Sequence, residues 1–457
     1  MQNYLSENTS APVTPSFKEA FWYWLKLGFV SFGGPAGQIA IMHHDLVEKK
    51  RWISEKRFLH ALNYCMVLPG PEAQQLATYI GWLMHRNLGG IVAGCLFVLP
   101  SLFILIALTF VYLKFGNQQI VVGVLYGIKP AVVAIVLFAA YRIGSRALKN
   151  KWLWLISLAA FVAIVVFTLP FPLIVLTAAL LGYVGSHFSP NTFNGASSHH
   201  ISQKSYGRAV IDDETPTPAH AKFQLKSLVK ILVVGIMLWL IAMGVLIAMY
   251  GWQTTLTQMG WFFTKAALLT FGGAYAVLPY VYQGAVDHYQ WLTATQMIDG
   301  LALGETTPGP LIMIVAFVGF VGGYTQQIFG SESLLLSGIV AASVVTFFTF
   351  LPSFIFILLG GPFIESTQGN LKLTAPLTAI TAAVVGVILS LALFFAMHVF
   401  LPHELPRYMA ATLGIMIDWT AVVLAIFGFV ALYKFKVSII KLILAFSLLG
   451  FLLMFLN

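Results

Sequence analysis

The chain has 457 residues, 59% of them apolar and only 9% charged, with a formal net charge of +9. Repeated runs of about 20 apolar residues exclude a soluble domain and point to a polytopic, all-α membrane protein. The excess of Lys and Arg then belongs to loops at or beyond the lipid headgroups, and nucleic-acid binding is not expected.

Residues 1–16 form a polar tail without the basic and apolar regions of a cleavable signal. Six apolar segments follow, at roughly 17–42, 57–84, 88–113, 120–141, 152–169 and 171–186, so that 17–186 forms one unit. The stretch 187–224 is rich in Ser, His, Asn and Pro and reads as a disordered linker. Its His199-His200 pair could bind a metal, but so flexible a tract disfavours it, and no metal is expected there. An additional transmembrane helix occupies 225–250, and a second unit fills 251–457. Cys65 and Cys95 both lie in apolar segments, so neither a disulfide framework nor a metal cluster is expected. No phosphate-binding Gly-rich sequence and no nucleophile–base constellation is present, so neither a cofactor nor an enzyme is expected.

The second unit repeats the first. Trp22, Lys26, Phe32-Gly33-Gly34, Trp52 and Pro69-Gly70-Pro71 match Trp261, Lys265, Phe271-Gly272-Gly273, Trp291 and Pro308-Gly309-Pro310, each pair 239 residues apart. Leu99-Pro100-Ser101 matches Leu351-Pro352-Ser353 at a spacing of 252. One register holding across so many positions marks an internal duplication.

Basic residues predict the orientation. The loop 43–57, the loop 142–151 and the linker all carry several Lys and Arg, which places them in the cytoplasm. The spans 88–113 and 120–141 return the chain to the side it left, so Arg86 is cytoplasmic too. Parity then requires segment 57–84 to bend back at Pro69-Gly70-Pro71 as a re-entrant helical hairpin. The matching loops of the second unit, 285–293 and 322–333, contain no Lys or Arg, as an inverted repeat requires.

Four breaks carry the chemistry. Two prolines around a glycine remove N–H donors and free one φ angle, so Pro69-Gly70-Pro71 and Pro308-Gly309-Pro310 end one helix and start another. Phe32-Gly33-Gly34 and Phe271-Gly272-Gly273 are second tips, because paired glycines permit positive φ and close backbone approach. A helix that starts inside a bilayer points unpaired N–H groups and a positive dipole end into a protein-lined cavity, which suits an anion. Lys26, Lys129 and Lys265 lie within apolar segments and are expected to offset the anion's charge. Glu72 and Glu305 flank the Pro-Gly-Pro tips and would exchange a proton or repel monovalent competitors. Gln74, Gln75, Thr306 and Thr307 add neutral hydrogen-bonding groups there.

The ordered set Phe32-Gly33-Gly34-Pro35, Trp52-Ile53-Ser54, Leu68-Pro69-Gly70-Pro71 and Gly127-Ile128-Lys129-Pro130-Ala131 resembles the chromate ion transporter family. Thr270-Phe271-Gly272-Gly273 and Thr307-Pro308-Gly309-Pro310 resemble its second domain, as in long, two-domain members. The resemblance implies export of chromate across a bacterial inner membrane and chromate resistance, with sulfate as a related ligand. An uncoupled anion channel with the same site is the alternative, and a homo-oligomer remains open. Two departures, Ala274 opposite Pro35 and Leu311 opposite Glu72, imply that the half-sites are not equivalent.

Overall fold

The structure is a computed structural model that describes residues 12–116, 118–188, 206–216, 218–271, 273–366, 374–401 and 417–454. Gly272, the His199-His200 pair and the chain's last three residues lie outside these. Among the described residues the fold is α-helical, and five helices are long and apolar enough to cross a membrane. The protein is a multi-pass membrane protein.

The first half runs α1 (Phe17–Val30), α2 (Gly34–His43), α3 (Glu55–Cys65), α4 (Glu72–Phe115), α5 (Gln119–Ala147), α6 (Lys151–Val165) and α7 (Phe171–Phe188). After α8 (Leu225–Tyr250) come α9 (Thr255–Leu268), α10 (Ala274–Tyr282), α11 (Ala294–Thr306), α12 (Ile314–Thr325), α13 (Leu334–Ser366), α14 (Thr374–Phe400), α15 (Trp419–Tyr433) and α16 (Ile439–Leu453). Helices therefore stop and restart at each of the four expected breaks.

The predicted return at Arg86 is present. His85 and Arg86 leave the helical region, Arg86 with φ 57°, and divide α4 into two antiparallel arms. Glycines let the arms touch. A Cβ on Gly81 would collide with Gly89 and Ala93, and one on Gly90 with Thr78 and Trp82. In the second half α12 and α13 form the same antiparallel pair, Gly319 against Ala341 and Gly323 against Ser337. There the turn is longer, a loop with Gln327 at φ 50°.

Matched backbone details extend the duplication beyond sequence. The π-helical turns His44–Lys49 and Gln283–His288 lie at the 239-residue spacing. Each ends in a positive φ, at Arg51 (50°) and Gln290 (52°). Trp52 and Trp291 then donate their N–H groups back to Leu46 (2.8 Å) and Ala285 (2.7 Å).

The expected disorder of 187–224 is corrected for its second part. Residues 206–216 and 218–224 pack on the ends of α3 and α4, with Ala209, Ile211 and Ala221 buried. Ile211 pairs with Ile53 as an isolated β-bridge, and Ser54 donates to Asp213 at 2.6 Å. Arg57 reaches both the carbonyl of Thr215 and the carboxylate of Glu365. His220 contacts the carbonyl of Trp82, and burial lowers its imidazole pKa. A polar composition conceals a few apolar residues at the spots where the segment touches the helices.

Candidate functional site

The four breaks meet, and they do so reciprocally. Gly70 of the first Pro-Gly-Pro donates its N–H to the carbonyl of Thr270 at 2.7 Å. Gly309 of the second donates to Ser31 at 2.9 Å, and Ser31 and Thr270 are themselves repeat mates. Both glycines need their positive φ, 133° and 98°. A Cβ on Gly70 would strike the hydroxyl of Ser353, and one on Gly309 would lie 2.8 Å from the Cβ of its mate, Ser101. Each unit's tip is thus held by the other unit's Phe-Gly-Gly break and by its proline-bearing helix.

Around these contacts stands a group of buried polar side chains. Gln38 bonds the carbonyls of Ser31 (3.3 Å) and Gly309 through its amide nitrogen. Gln75 bonds the carbonyl of Pro69 at 2.8 Å, and Gln74 bonds Thr78 at 3.0 Å. The amide oxygens of Gln38, Gln74 and Gln75 and the hydroxyls of Ser31, Ser101 and Ser353 have no partner among the described residues. All six side chains belong to residues at most 1% exposed. An unpartnered buried polar group costs about 1–3 kcal/mol, so packing alone does not account for such a set. The N–H groups of Glu72, Ala73 and Gln74, in the first turn of α4, likewise have no acceptor among the described residues. The three hydroxyls and the three N–H groups are donors next to a positive helix end, an arrangement that suits an anion, while the three amide oxygens are acceptors.

Residues 18–183 and 257–451 match the family described as Chromate transporter, one match on each half of the duplicated fold. The chain belongs to the chromate transporter family. The chromate transport protein of Cupriavidus metallidurans is 30% identical over 376 residues, which cover 82% of this chain and 81% of that one. The chromate transport protein of Pseudomonas aeruginosa is 31% identical over 385 residues, covering 83% and 81%. A probable chromate transport protein of Synechococcus elongatus is 29% identical over 406 residues, covering 88% and 90%. No solved structure matches the chain.

Within this member of the family, the remaining expected site residues divide into three groups. Phe32, Gly33, Gly34, Pro69, Gly70, Pro71, Glu72, Gln75, Gly273, Pro308, Gly309 and Pro310 belong to the meeting tips. The N–H groups of Gly70 and Gly309 are corrected as anion donors, because carbonyls of the opposite unit already hold them. The free donors start one residue after each second proline.

Lys26 is corrected too. Helix α1 buries Ala20, Tyr23, Trp24 and Leu27, spaced three and four residues apart, and Lys26 falls outside that stripe on an exposed face. It shares a surface groove with Glu19, Asp45, Lys49 and Lys50. Lys265 is half-buried with its ammonium 5.5 Å from the ring of Trp261.

Lys129 lies within electrostatic reach of Asp299 rather than at a tip. Asp299 is 2% exposed and accepts from the Tyr112 hydroxyl at 2.9 Å. Glu305 is buried and accepts from Tyr275, while Thr307 closes the end of α11 by donating to Gly304 at 2.9 Å. These three expected site residues act as internal partners. Ser101 and Ser353 are visible in the sequence as repeat anchors, and that match is the signal that marks their positions. Gln38 and Asp299 carry no sequence signal beyond being polar in an apolar run, and Ser31 is marked only by its hydroxyl-bearing repeat mate Thr270.

Proposed function

We propose that this protein is a secondary active transporter of tetrahedral oxyanions that exports chromate across the cell's inner membrane and so confers chromate resistance. Sulfate, a dianion of the same shape, fits the same donors. The observation that carries this reading is the convergence of four helix breaks on buried, unpartnered hydrogen-bonding groups. Broken helices facing a shared polar site are the usual construction of a mid-membrane substrate site between repeats. The relatives named for chromate transport support the choice of substrate.

The repeats, 17–186 and 251–457, are read as inverted. Residues 51–57, the linker and the Glu365 end of α13 share one end of the molecule through the contacts of Arg57 and Ser54. The matching Trp291 loop bonds Thr325, beside the opposite end of α13. The basic end is cytoplasmic on this reading. Access alternates as the bundle of α5–α7 and α14–α16 changes sides. In this structure α14 packs on α10, and α5 and α16 pack on α11, whereas α2 carries no comparable cover. Exchanging that asymmetry between repeats opens the site to the other side.

Purified protein in liposomes, given labelled chromate or sulfate under imposed pH and voltage gradients, tests this. Accumulation of chromate beyond its own electrochemical gradient is expected. Flux that only ever follows the anion's gradient would establish a channel and overturn the transporter reading.

A further inference from the structure

The oxyanion reading leaves one side chain at the tips without a role. Glu72 opens α4, directly after Pro71, whose ring offers no capping group. Its Oε1 stands 3.9 Å from the point a Cβ on Gly273 would occupy, and Gly273 is the N-cap of α10. The carboxylate therefore lies between two helix N-termini, one from each repeat, and both favour negative charge. Every other acidic side chain buried in the helices is engaged: Glu305 by Tyr275, Asp299 by Tyr112, Glu365 by Tyr79 and Arg57. Glu72 accepts no hydrogen bond and forms no ion pair among the described residues, and its side chain is only partly buried, so water reaches it.

Nothing basic neutralises it. The titratable group within its electrostatic reach is the Cys65 thiol at the end of α3. Lys26 of α1 points away on its exposed face, and Lys129 and Arg142 of α5 serve Asp299 and Glu305. The second tip has Leu311 in the matching place, so the feature occurs once per molecule.

We propose that Glu72 is an internal surrogate for the transported oxyanion. In the empty protein its carboxylate places a negative charge between the two positive helix ends without bonding their N–H groups. When an oxyanion enters, the two negative groups repel one another beside the same helix ends, and Glu72 takes one proton from the water in the cavity and withdraws as the neutral acid. Binding of one oxyanion is thereby linked to uptake of one proton, and by reciprocity protonation tightens oxyanion binding. The inference rests on the oxyanion reading of the site and assigns its coupling.

Calorimetric titration of chromate into the purified protein tests it, at mildly alkaline pH where chromate is a dianion. Two buffers of different protonation enthalpy count the protons exchanged. Wild type is expected to take up close to one proton per chromate, and E72Q close to none. E72Q is also expected to bind about tenfold tighter under these conditions, since no carboxylate competes, within the usual range for coupled sites. Equal proton uptake by both proteins overturns the assignment and leaves the substrate reading intact. Absence of chromate binding to wild type overturns the substrate reading and this inference with it. Should E72Q fail to fold, the wild-type count decides alone: near one supports the proposal, near zero overturns it.

Discussion

At Gly70 and at Gly309 the chain makes the same turn, with the same exchange of an N–H for a carbonyl across the repeats, yet the residues beyond the turn differ. The first tip continues into Glu72, Gln74 and Gln75, and the second into Leu311, Met313 and Ile314. The neighbouring arms differ as well. In α10 all nine residues are buried, whereas in α2 only Gln38 and Met42 are. Duplication preserved the backbone, because reciprocal contacts oblige each tip to fit the other. It left the side chains free to diverge, and the first tip carries polar groups where the second carries apolar ones. On the proposed reading the first tip binds the anion and the second braces it.

The largest expected effects come from the glycines that the two tips share. A Cβ at Gly70 meets the movable ends of Ser353 and Gln75, whereas at Gly309 it meets the Cβ of Ser101. Positive φ adds about 1–2 kcal/mol of strain in either case. Gly70→Val is therefore expected to abolish chromate binding in protein that still folds, and Gly309→Val to lower thermal stability as well. Calorimetry and thermal unfolding on monodisperse protein measure both, and wild-type affinity in Gly70→Val would reduce the break to a packing kink.

Grafting one tip onto the other sharpens the comparison. Replacing Gln74 and Gln75 by Met and Ile, the residues of the second tip, removes two hydrogen-bonding groups. Affinity is expected to fall by one to two orders of magnitude, the equivalent of about 1–3 kcal/mol. The reverse change, Met313→Gln, places an unpaired amide among apolar neighbours and should cost about 1–3 kcal/mol of stability without improving binding. Equal losses from the two grafts would erase the distinction between a binding tip and a bracing tip.

The uncovered arm offers a third contrast. Ala40 on α2 is exposed, and its mate Pro279 on α10 is buried. Ala40→Trp is expected to change stability by less than about 0.5 kcal/mol, as for other surface substitutions. If the mobile bundle must come to rest on α2 in the other state, the same change stops transport while chromate binding persists. Full transport by Ala40→Trp would mean that this arm never becomes covered.

Much of this arrangement is legible in the chain. Glycine and proline act through the backbone alone, so the four breaks follow from residue type wherever the fold places them, and the return at Arg86 follows from the distribution of basic loops. The repeat spacing tells which breaks are equivalent. Side-chain direction is another matter. Lys26 and Lys129 are both cations in apolar runs, yet one lies on the surface and the other beside Asp299. A difference of about 100° per residue around a helix decides between those fates, and the neighbours that fix it are remote in sequence. The donor role expected of Gly70 fails for the same reason, since Thr270 lies 200 residues away. The packing of residues 206–224 depends on Ile53 and Trp82, which composition does not reveal.

The smallest effects are expected at the paired lysines, and they separate the repeats once more. Lys265 lies against Trp261, and an ammonium over an indole at a partly exposed position contributes about 0.5–1 kcal/mol. Lys265→Met should lower stability by no more than that, and leave chromate affinity unchanged, because the side chain stands outside the polar cage. Lys26 has its matched tryptophan, Trp22, but that ring is 59% exposed, and the lysine shares its groove with two acidic and two basic residues. Removing one charge from so mixed and solvated a group is worth little. Lys26→Met is thus expected to match wild type in both thermal unfolding and chromate transport. A loss of transport in Lys26→Met with stability intact would show that the groove on α1 belongs to the anion's path, and that the cage between the tips is only part of it.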